Sequence, residues 1–128
     1  MSAESVSFLI VDDEPDMCWA LIHILGKRGF MARKAQNGSE ALRLMARYRF
    51  RMVFLDAKLP DVEGLDLAGR IRALDPAVRI VIISGYFYDD DIEVQNAINE
   101  GLISGFISKP FSHETVYQVI PDSFVNET

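Results

Sequence analysis

The chain has 128 residues, of which 49% are hydrophobic and 25% are charged. This length and composition predict one globular domain with a full core rather than a disordered chain. The formal net charge of −6 argues against direct nucleic-acid binding by this domain, because phosphate backbones select basic faces. No apolar run approaches the ~18 residues typical of a membrane span, so we expect no membrane segment.

The first residues and the cysteine content indicate where the protein acts. Residues 1–5 are polar and lack the basic and apolar regions of a signal peptide, so we expect a cytoplasmic protein. Cys18 is the only cysteine, which excludes an internal disulfide framework and a thiolate metal site. We expect it to be a small buried residue on the first helix rather than a reactive thiol.

Apolar patterning predicts strands and helices in alternation from the start of the chain. Residues 7–11 form the first expected strand, and Pro15 suits the first position of the helix that follows. Residues 30–35 form a weaker, partly polar strand that we expect near a sheet edge. Asn37 can cap the second helix, with Glu40 reaching back as in a capping box.

Residues 52–56 form a short apolar strand that ends on the carboxylate of Asp56. Because this strand is apolar on both faces, it needs cover on both faces, as in the middle of a parallel sheet. A turn follows, and then an amphipathic helix with Leu67, Ile71 and Leu74 expected to face inward.

The second half of the chain continues the alternation. Residues 79–85 are rich in β-branched side chains and are the most strand-like segment. A helix is expected over residues 89–99, a short strand over residues 105–108, and a last helix between Ser112 and Pro121. The alternation predicts an α/β fold, a doubly wound parallel sheet with right-handed crossovers.

Polar side chains follow four of the five predicted strands. They are Asp12, Asp13, Asp56, Ser84 and Lys109. The carboxyl ends of parallel strands share one sheet edge, where ligands bind in such folds. Two carboxylates ~4 Å apart repel by ~4 kcal/mol at an effective dielectric of ~20, so either some are protonated or a cation lies among them. Oxygen ligands select a hard cation, and Mg²⁺ suits a site that shares its oxygens with a phosphoryl group.

This set of residues fits phosphoryl transfer. Asp56 can attack phosphorus to give an acyl phosphate, while Asp12 and Asp13 hold the metal directly or through water. Lys109 can bind a phosphoryl oxygen as a point charge, and Ser84 can donate a hydrogen bond to another. Each residue alone is commonly an ordinary turn or surface residue, and the joint pattern is far more specific than its parts.

These residues, in this order and spacing, resemble the receiver domain of two-component response regulators. The matching segments are residues 11–15, 56–64, 83–85 and 109–111. The resemblance covers roughly residues 6–120 and leaves 121–128 as a short tail, or the start of a linker, with little to pack. It implies a flavodoxin-like, five-stranded parallel sheet in the order 2-1-3-4-5.

The resemblance also implies roles for single residues. Asp56 would be the phosphoacceptor, and Mg²⁺ would be held by Asp13 and Asp56, with Asp12 assisting and the carbonyl of Lys58 as a further ligand. The donor would be a phosphohistidine on a sensor histidine kinase or phosphotransfer protein, and a downstream output protein or domain would respond. Such a protein catalyses only its own phosphorylation and dephosphorylation and is not otherwise an enzyme. The oligomeric state stays open.

Several features depart from the family's pattern. The family's switch pairs Ser84 with an aromatic residue on the fifth strand, here Phe106, where tyrosine is frequent, so the ring offers no hydroxyl. Lys58 places a second cation beside the site. Aromatic residues 86–88 and acidic residues 89–91 crowd the loop after the fourth strand, either as an acidic helix start or as a partner-binding surface.

Two other functions remain alternatives at this point. A phosphohydrolase of the haloacid-dehalogenase type also forms an aspartyl phosphate, but it would need Asp-x-Asp after the first strand and a cap domain. A phosphorylation-independent interaction module could use the same fold, although here every part of the acceptor chemistry is present.

Overall fold

The computed structural model describes residues 8–85 and 91–125. Within these ranges, strands and helices alternate along the chain. They are β1 (Phe8–Val11), α1 (Pro15–Gly26), β2 (Ala32–Ala35), α2 (Gly38–Arg47), β3 (Met52–Asp56), α3 (Gly64–Leu74), β4 (Arg79–Ser84), α4 (Ile92–Asn99), β5 (Gly105–Ser108), α5 (His113–Gln118) and α6 (Asp122–Val125). None of the helices described is long and apolar enough to cross a membrane.

The five strands form one parallel sheet in the order β2-β1-β3-β4-β5, which confirms the predicted fold class and strand order. β3 lies at the centre, where Phe54 pairs with Ile10 of β1 and Val81 of β4. Because all strands run the same way, their carboxyl ends share one edge of the sheet. The polar residues that follow the strands are therefore carried to the same side of the molecule.

The core has two layers, one on each face of the sheet. Successive residues of β3 point to opposite faces, and all five are buried. Val53 and Leu55 pack into the cluster that contains the buried residues of α2, α3 and α4. Met52 and Phe54 pack into the cluster beneath α1 and α5. The prediction that this strand is covered on both faces is confirmed.

Hydrogen bonds of the backbone and of one capping side chain set where α1 ends and where α2 begins. Gly29 has a φ of 82°, and Phe30 N donates to Leu25 O at 3.1 Å. Because these two residues belong to the end of α1, Phe30 does not join the strand predicted to begin there. Asn37 caps α2 by accepting from Glu40 N at 2.8 Å, as predicted. Glu40 reaches back, but its Oε1 accepts from Gln36 N rather than from the cap residue.

Four large apolar side chains in the described residues are exposed: Trp19, Met31, Leu74 and Ile92. The inward orientation predicted for Leu74 is wrong, because this side chain is 55% exposed at the last turn of α3. Trp19 is 68% exposed on α1, where its ring stacks on His23 with a centroid distance of 5.2 Å and an interplanar angle of 5°.

The expectation that the end of the chain has little to pack is wrong for α6. The ring centroid of Phe124 lies 6.1 Å from that of Phe8, and the guanidinium carbon of Arg51 lies 3.7 Å from the centroid of Phe124. A core strand and a cationic side chain thus hold this helix against the sheet. The division of the chain at residue 120 stays a prediction. Residues 86–90 and 126–128, and with them most of the aromatic and acidic loop, lie outside the described residues.

Candidate functional site

Three carboxylates converge where β1 and β3 end. Asp12, Asp13 and Asp56 each offer an oxygen that lies within 4.8 Å of the other two. Asp12 and Asp56 are buried, at 2% and 6% exposure, whereas Asp13 is exposed. We call these three residues the carboxylate cluster. An all-oxygen donor set that is open on one side fits a hard divalent cation such as Mg²⁺.

The backbone around the carboxylate cluster fixes its geometry. Asp12 Oδ1 accepts from Glu14 N at 2.9 Å, and Asp56 Oδ1 accepts a longer bond from Lys58 N at 3.4 Å. The loop that carries Lys58 is folded against the start of α3, because Gly64 N donates to Ala57 O at 2.7 Å. The loop therefore presents its backbone beside the phosphoacceptor candidate rather than away from it.

Lys109, which follows β5, brings a cation to the same place. Its Nζ lies 3.3 Å from Asp12 Oδ2, 3.8 Å from Asp56 Oδ1 and 3.6 Å from Glu14 Oε1. Its backbone N donates to Ser84 O at 2.9 Å, which ties the exits of β4 and β5 together. The structure therefore brings together the acids and the lysine that the sequence placed after separate strands.

Burial and mutual repulsion shift the protonation of the buried acids. Burial, followed by the charge of Asp12, raises the pKa of Asp56 to about 6. Burial also raises the pKa of Asp12 above its ordinary value. Burial lowers the pKa of Lys109, but the carboxylates of Asp12 and Asp56 outweigh it, so the pKa is raised. The site thus concentrates more negative charge than one lysine balances, a condition that favours a bound cation.

Ser84 and Phe106 lie on neighbouring strands near the cluster. Ser84 is the last residue of β4 and is fully buried, while Phe106 is half-buried on β5 and packs on the α2–α4 side of the core. The register pairs Phe106 with Ile82 and Ser108 with Ser84, so Phe106 lies diagonal to Ser84 across the ladder. Their predicted role as a switch pair remains a prediction.

Sequence reasoning missed the contacts of two acidic residues. Glu14 was treated as part of a motif, yet it is a further carboxylate near Lys109. Asp61 lies in the segment after β3 where the sequence predicted only a turn. Its carboxylate accepts from Gly38 N at 2.8 Å and from Ser39 N at 3.0 Å, and these bonds lower its pKa. It stabilises the start of α2 from the β3–α3 loop, and its partners, 22 and 23 residues away, give no local sequence signal.

We expect Cys18 to resist thiol reagents in the folded protein. Its side chain is fully buried and its Sγ donates to Asp12 O at 3.3 Å. Burial and the nearby charge of Asp12 raise the pKa of the thiol to about 11, so the reactive thiolate is scarce at neutral pH. Labelling with a maleimide should be slow for the native protein and rapid after denaturation. Equal rates in both states would contradict this burial.

Comparison with known proteins finds relatives among bacterial regulatory proteins. The chain is 28% identical over 123 residues to the transcriptional regulatory protein GlrR of Escherichia coli. The aligned region covers 96% of this chain and 27% of that protein. It is 29% identical over 112 residues to sporulation initiation phosphotransferase F of Bacillus subtilis, with 88% of each chain covered. The chain therefore spans only 27% of the length of the Escherichia coli regulator.

Solved structures show the same likeness in three dimensions. The receiver domain of NtrX from Brucella abortus matches with a TM-score of 0.78 at 31% identity, covering 88% of this chain and 93% of that one. A response regulator from Burkholderia pseudomallei, solved with a phosphorylated aspartic acid, calcium ion and citrate, matches with a TM-score of 0.80 at 26% identity, covering 93% and 68%. The family model for the response regulator receiver domain matches residues 8–121, and the chain belongs to that family of two-component signalling proteins.

Proposed function

We propose that this chain is a phosphorylation-controlled switch in which Asp56 accepts the phosphoryl group of a phosphohistidine. The donor is a sensor histidine kinase or a phosphotransfer protein. The observation that carries the proposal is the convergence of three carboxylates and the Lys109 ammonium around a buried aspartate at the carboxyl edge of the sheet. This is the set of parts that acyl-phosphate formation requires.

The groups that this chain contributes to the transfer lie at the carboxyl edge of the sheet. A carboxylate oxygen of Asp56 attacks phosphorus, the bond from phosphorus to the donor's imidazole nitrogen breaks, and its electron pair leaves with the imidazole. Lys109 holds a phosphoryl oxygen as a point charge, and the hydroxyl of Ser84 donates to another. The bond from Lys109 N to Ser84 O holds the backbones of these two residues next to each other at the ends of β4 and β5.

Asp12, Asp13 and Asp56, with the carbonyl of Lys58, would hold Mg²⁺. When bound, the cation neutralises negative charge that accumulates on the phosphoryl oxygens. The residues themselves create the need for a cation, since Asp12 and Asp56 are buried close together and both pKa values are raised. The exposed carboxylate of Asp13 leaves the cluster open on one side.

The switch follows from the charge that phosphorylation adds. An acyl phosphate brings a charge near −2 and strong acceptor oxygens to Asp56. Ser84 and Lys109 move to meet these oxygens, and Phe106 and the loop after β4 shift with them. A downstream output protein or domain then distinguishes the phosphorylated conformation from the unphosphorylated one. We place this action in the cytoplasm, with protein partners and without direct nucleic-acid contact by this domain.

Two related proteins support the proposal. The Bacillus subtilis relative is named a sporulation initiation phosphotransferase, and the Burkholderia pseudomallei regulator was solved with a phosphorylated aspartic acid and a calcium ion. Calcium is a hard divalent cation with oxygen ligands, as magnesium is. The fold and the carboxylate cluster of this chain are compatible with the same chemistry.

Incubation with acetyl phosphate and Mg²⁺, followed by intact-protein mass spectrometry, tests the proposal. We expect the mass of one phosphoryl group to be added and then lost on treatment with hydroxylamine, as an acyl phosphate requires. The Asp56→Asn variant should gain nothing. Asp66→Asn, which removes an exposed acid from the first turn of α3, is the matched control and should be phosphorylated like the wild type.

The same experiment separates the alternatives. Steady turnover of a small phosphoester would indicate a phosphohydrolase. Absence of an adduct, together with absence of Mg²⁺ binding, would indicate an interaction module that works without phosphorylation. An adduct that persists in Asp56→Asn would place the phosphoacceptor elsewhere and would refute the assignment of Asp56.

A further inference from the structure

The β3–α3 loop, residues 57–63, is folded into a small hairpin beside the carboxylate cluster. Leu59 N donates to Val62 O at 3.2 Å across the turn, and Lys58 and Glu63 are paired below the turn in an antiparallel bridge. Because the backbone is bonded across at both levels, a displacement of the tip of the loop is passed on to its base. The loop therefore moves as one piece.

The base of this loop faces the phosphoacceptor candidate. Residues 58–60 line the same cleft as Asp56 and Lys109, a cleft of about 540 Å³. Lys58 N donates to Asp56 Oδ1 at 3.4 Å, and in the function proposed above the carbonyl of Lys58 is a ligand of Mg²⁺. The affinity of a metal site depends on how firmly its ligands are held before the ion arrives. The position of the loop therefore bears on Mg²⁺ binding.

Asp61, at the tip of the loop, attaches it to a different part of the chain. Its Oδ1 accepts from Gly38 N at 2.8 Å, and its Oδ2 accepts from Ser39 N at 3.0 Å. One carboxylate thus binds the first two residues of α2. Hydrogen bonds to a charged acceptor are roughly twice as strong as those between neutral groups. These bonds lower the pKa of Asp61, so the carboxylate is ionised at neutral pH.

The contact between the loop and α2 is also closely packed. A Cβ added to Gly38 would lie 2.5 Å from Val62 Cγ1 and 3.3 Å from Asp61 Oδ1, so no side chain fits between the two segments. The helix itself is anchored, because Ala41 and Met45 are buried in the core. The loop is therefore bound to a support that the core holds in place.

We propose that Asp61 is a positioning residue for the metal and phosphoryl site, although its carboxylate is bonded to α2 and not to the site. By binding α2 it holds the β3–α3 loop, and with it the backbone of Lys58, in a geometry that suits Mg²⁺. Without these bonds the cation must also order the loop, so its affinity falls. This inference rests on the function proposed above and deepens it.

Two variants that each remove one negative charge from this loop provide the test. Asp61→Asn keeps one acceptor oxygen of two, so one backbone N–H of α2 loses its partner. Glu63→Gln is the matched control, since the Glu63 side chain makes no capping bond at the start of α3. Calorimetric titration with Mg²⁺ should give a dissociation constant raised about fivefold in Asp61→Asn. In Glu63→Gln it should change by less than about twofold.

Gly38→Ala perturbs the same contact from the side of α2 and changes no charge. Its added Cβ would meet Val62, so we expect this variant to weaken Mg²⁺ binding as well, while circular dichroism shows that it is folded. At saturating Mg²⁺, acetyl phosphate should phosphorylate Gly38→Ala and Asp61→Asn at close to the wild-type rate. A merely structural role for Asp61 would lower the midpoint of unfolding and leave the affinity for Mg²⁺ unchanged.

Amide hydrogen exchange without Mg²⁺ reports on the loop itself. The amides of Leu59 and Gly64, which donate within and at the end of the loop, should exchange about fivefold faster in Asp61→Asn than in Glu63→Gln. Wild-type Mg²⁺ affinity in Asp61→Asn, or equal losses in the two variants, would overturn this inference alone. Absence of Mg²⁺ binding by the wild type would instead refute the proposed function and this inference together.

Discussion

Replacing Gly64 with alanine should destabilise the protein by about 3 kcal/mol. An added Cβ at this position would lie 2.5 Å from Asp56 O, 2.8 Å from Ala57 Cα and 3.0 Å from Ala57 O. All three are backbone atoms, so no side-chain rotation relieves the clash. The two segments cannot simply separate, because Gly64 N donates to Ala57 O at 2.7 Å. The glycine therefore permits α3 to approach the end of β3.

Gly69→Ala provides the control within the same helix. An added Cβ at this position would meet only Leu102 Cδ1, at 4.0 Å. A helix is more stable with alanine than with glycine by about 0.5–1 kcal/mol. Urea unfolding followed by circular dichroism should show a large loss of stability for Gly64→Ala and none for Gly69→Ala. Equal effects at the two positions would mean that the close approach at Gly64 is unimportant.

Replacing Asp56 with asparagine should stabilise the metal-free protein by about 3 kcal/mol near neutral pH. The pKa of Asp56 is about 6 in the folded state, above its ordinary value of 3.8, so folding disfavours its charged form. Below the ordinary value the acid is protonated in both states and ionisation costs nothing. The loss of folding stability develops as the pH rises from 3.8 to about 6, and it is complete above that pH. Asparagine has no charged form, so the variant does not suffer this loss of stability.

Denaturant unfolding in EDTA, at about pH 4 and near neutral pH, checks this expectation. The stability difference between Asp56→Asn and the wild type should be small at the lower pH and large at the higher one. Added Mg²⁺ should narrow the difference by stabilising the wild type. Asp66→Asn, on the surface of α3, should change stability by only about 0.5 kcal/mol. A difference that is independent of pH would contradict the raised pKa.

The sequence was sufficient to predict the fold because each strand is a short apolar run with a turn or helix signal close behind. Met52–Asp56 is buried on both faces, and only the centre of a parallel sheet supplies cover of that kind. The gathering of Asp12, Asp56 and Lys109 followed from the same topology, since parallel strands end at one edge. Their roles in phosphoryl transfer remain predictions.

Features that depend on contacts between distant segments could not be predicted. The partners of Asp61 belong to the start of α2, and no local pattern pairs them. Arg51 and Arg79 become backbone neighbours only through the pairing of β3 with β4, and no local pattern in the sequence reports that contact. Leu74 fits the apolar period of α3, but it lies at the final turn of that helix, where periodicity alone does not report burial.

The stacked, exposed ring of Trp19 determines how this protein can be followed in solution. It is the only tryptophan in the chain, and its indole already contacts water in the native state. Its fluorescence should therefore report poorly on unfolding, whereas a macromolecule that covers α1 should shift its emission towards the blue. The native protein thus carries an intrinsic, label-free optical probe for docking on that helix.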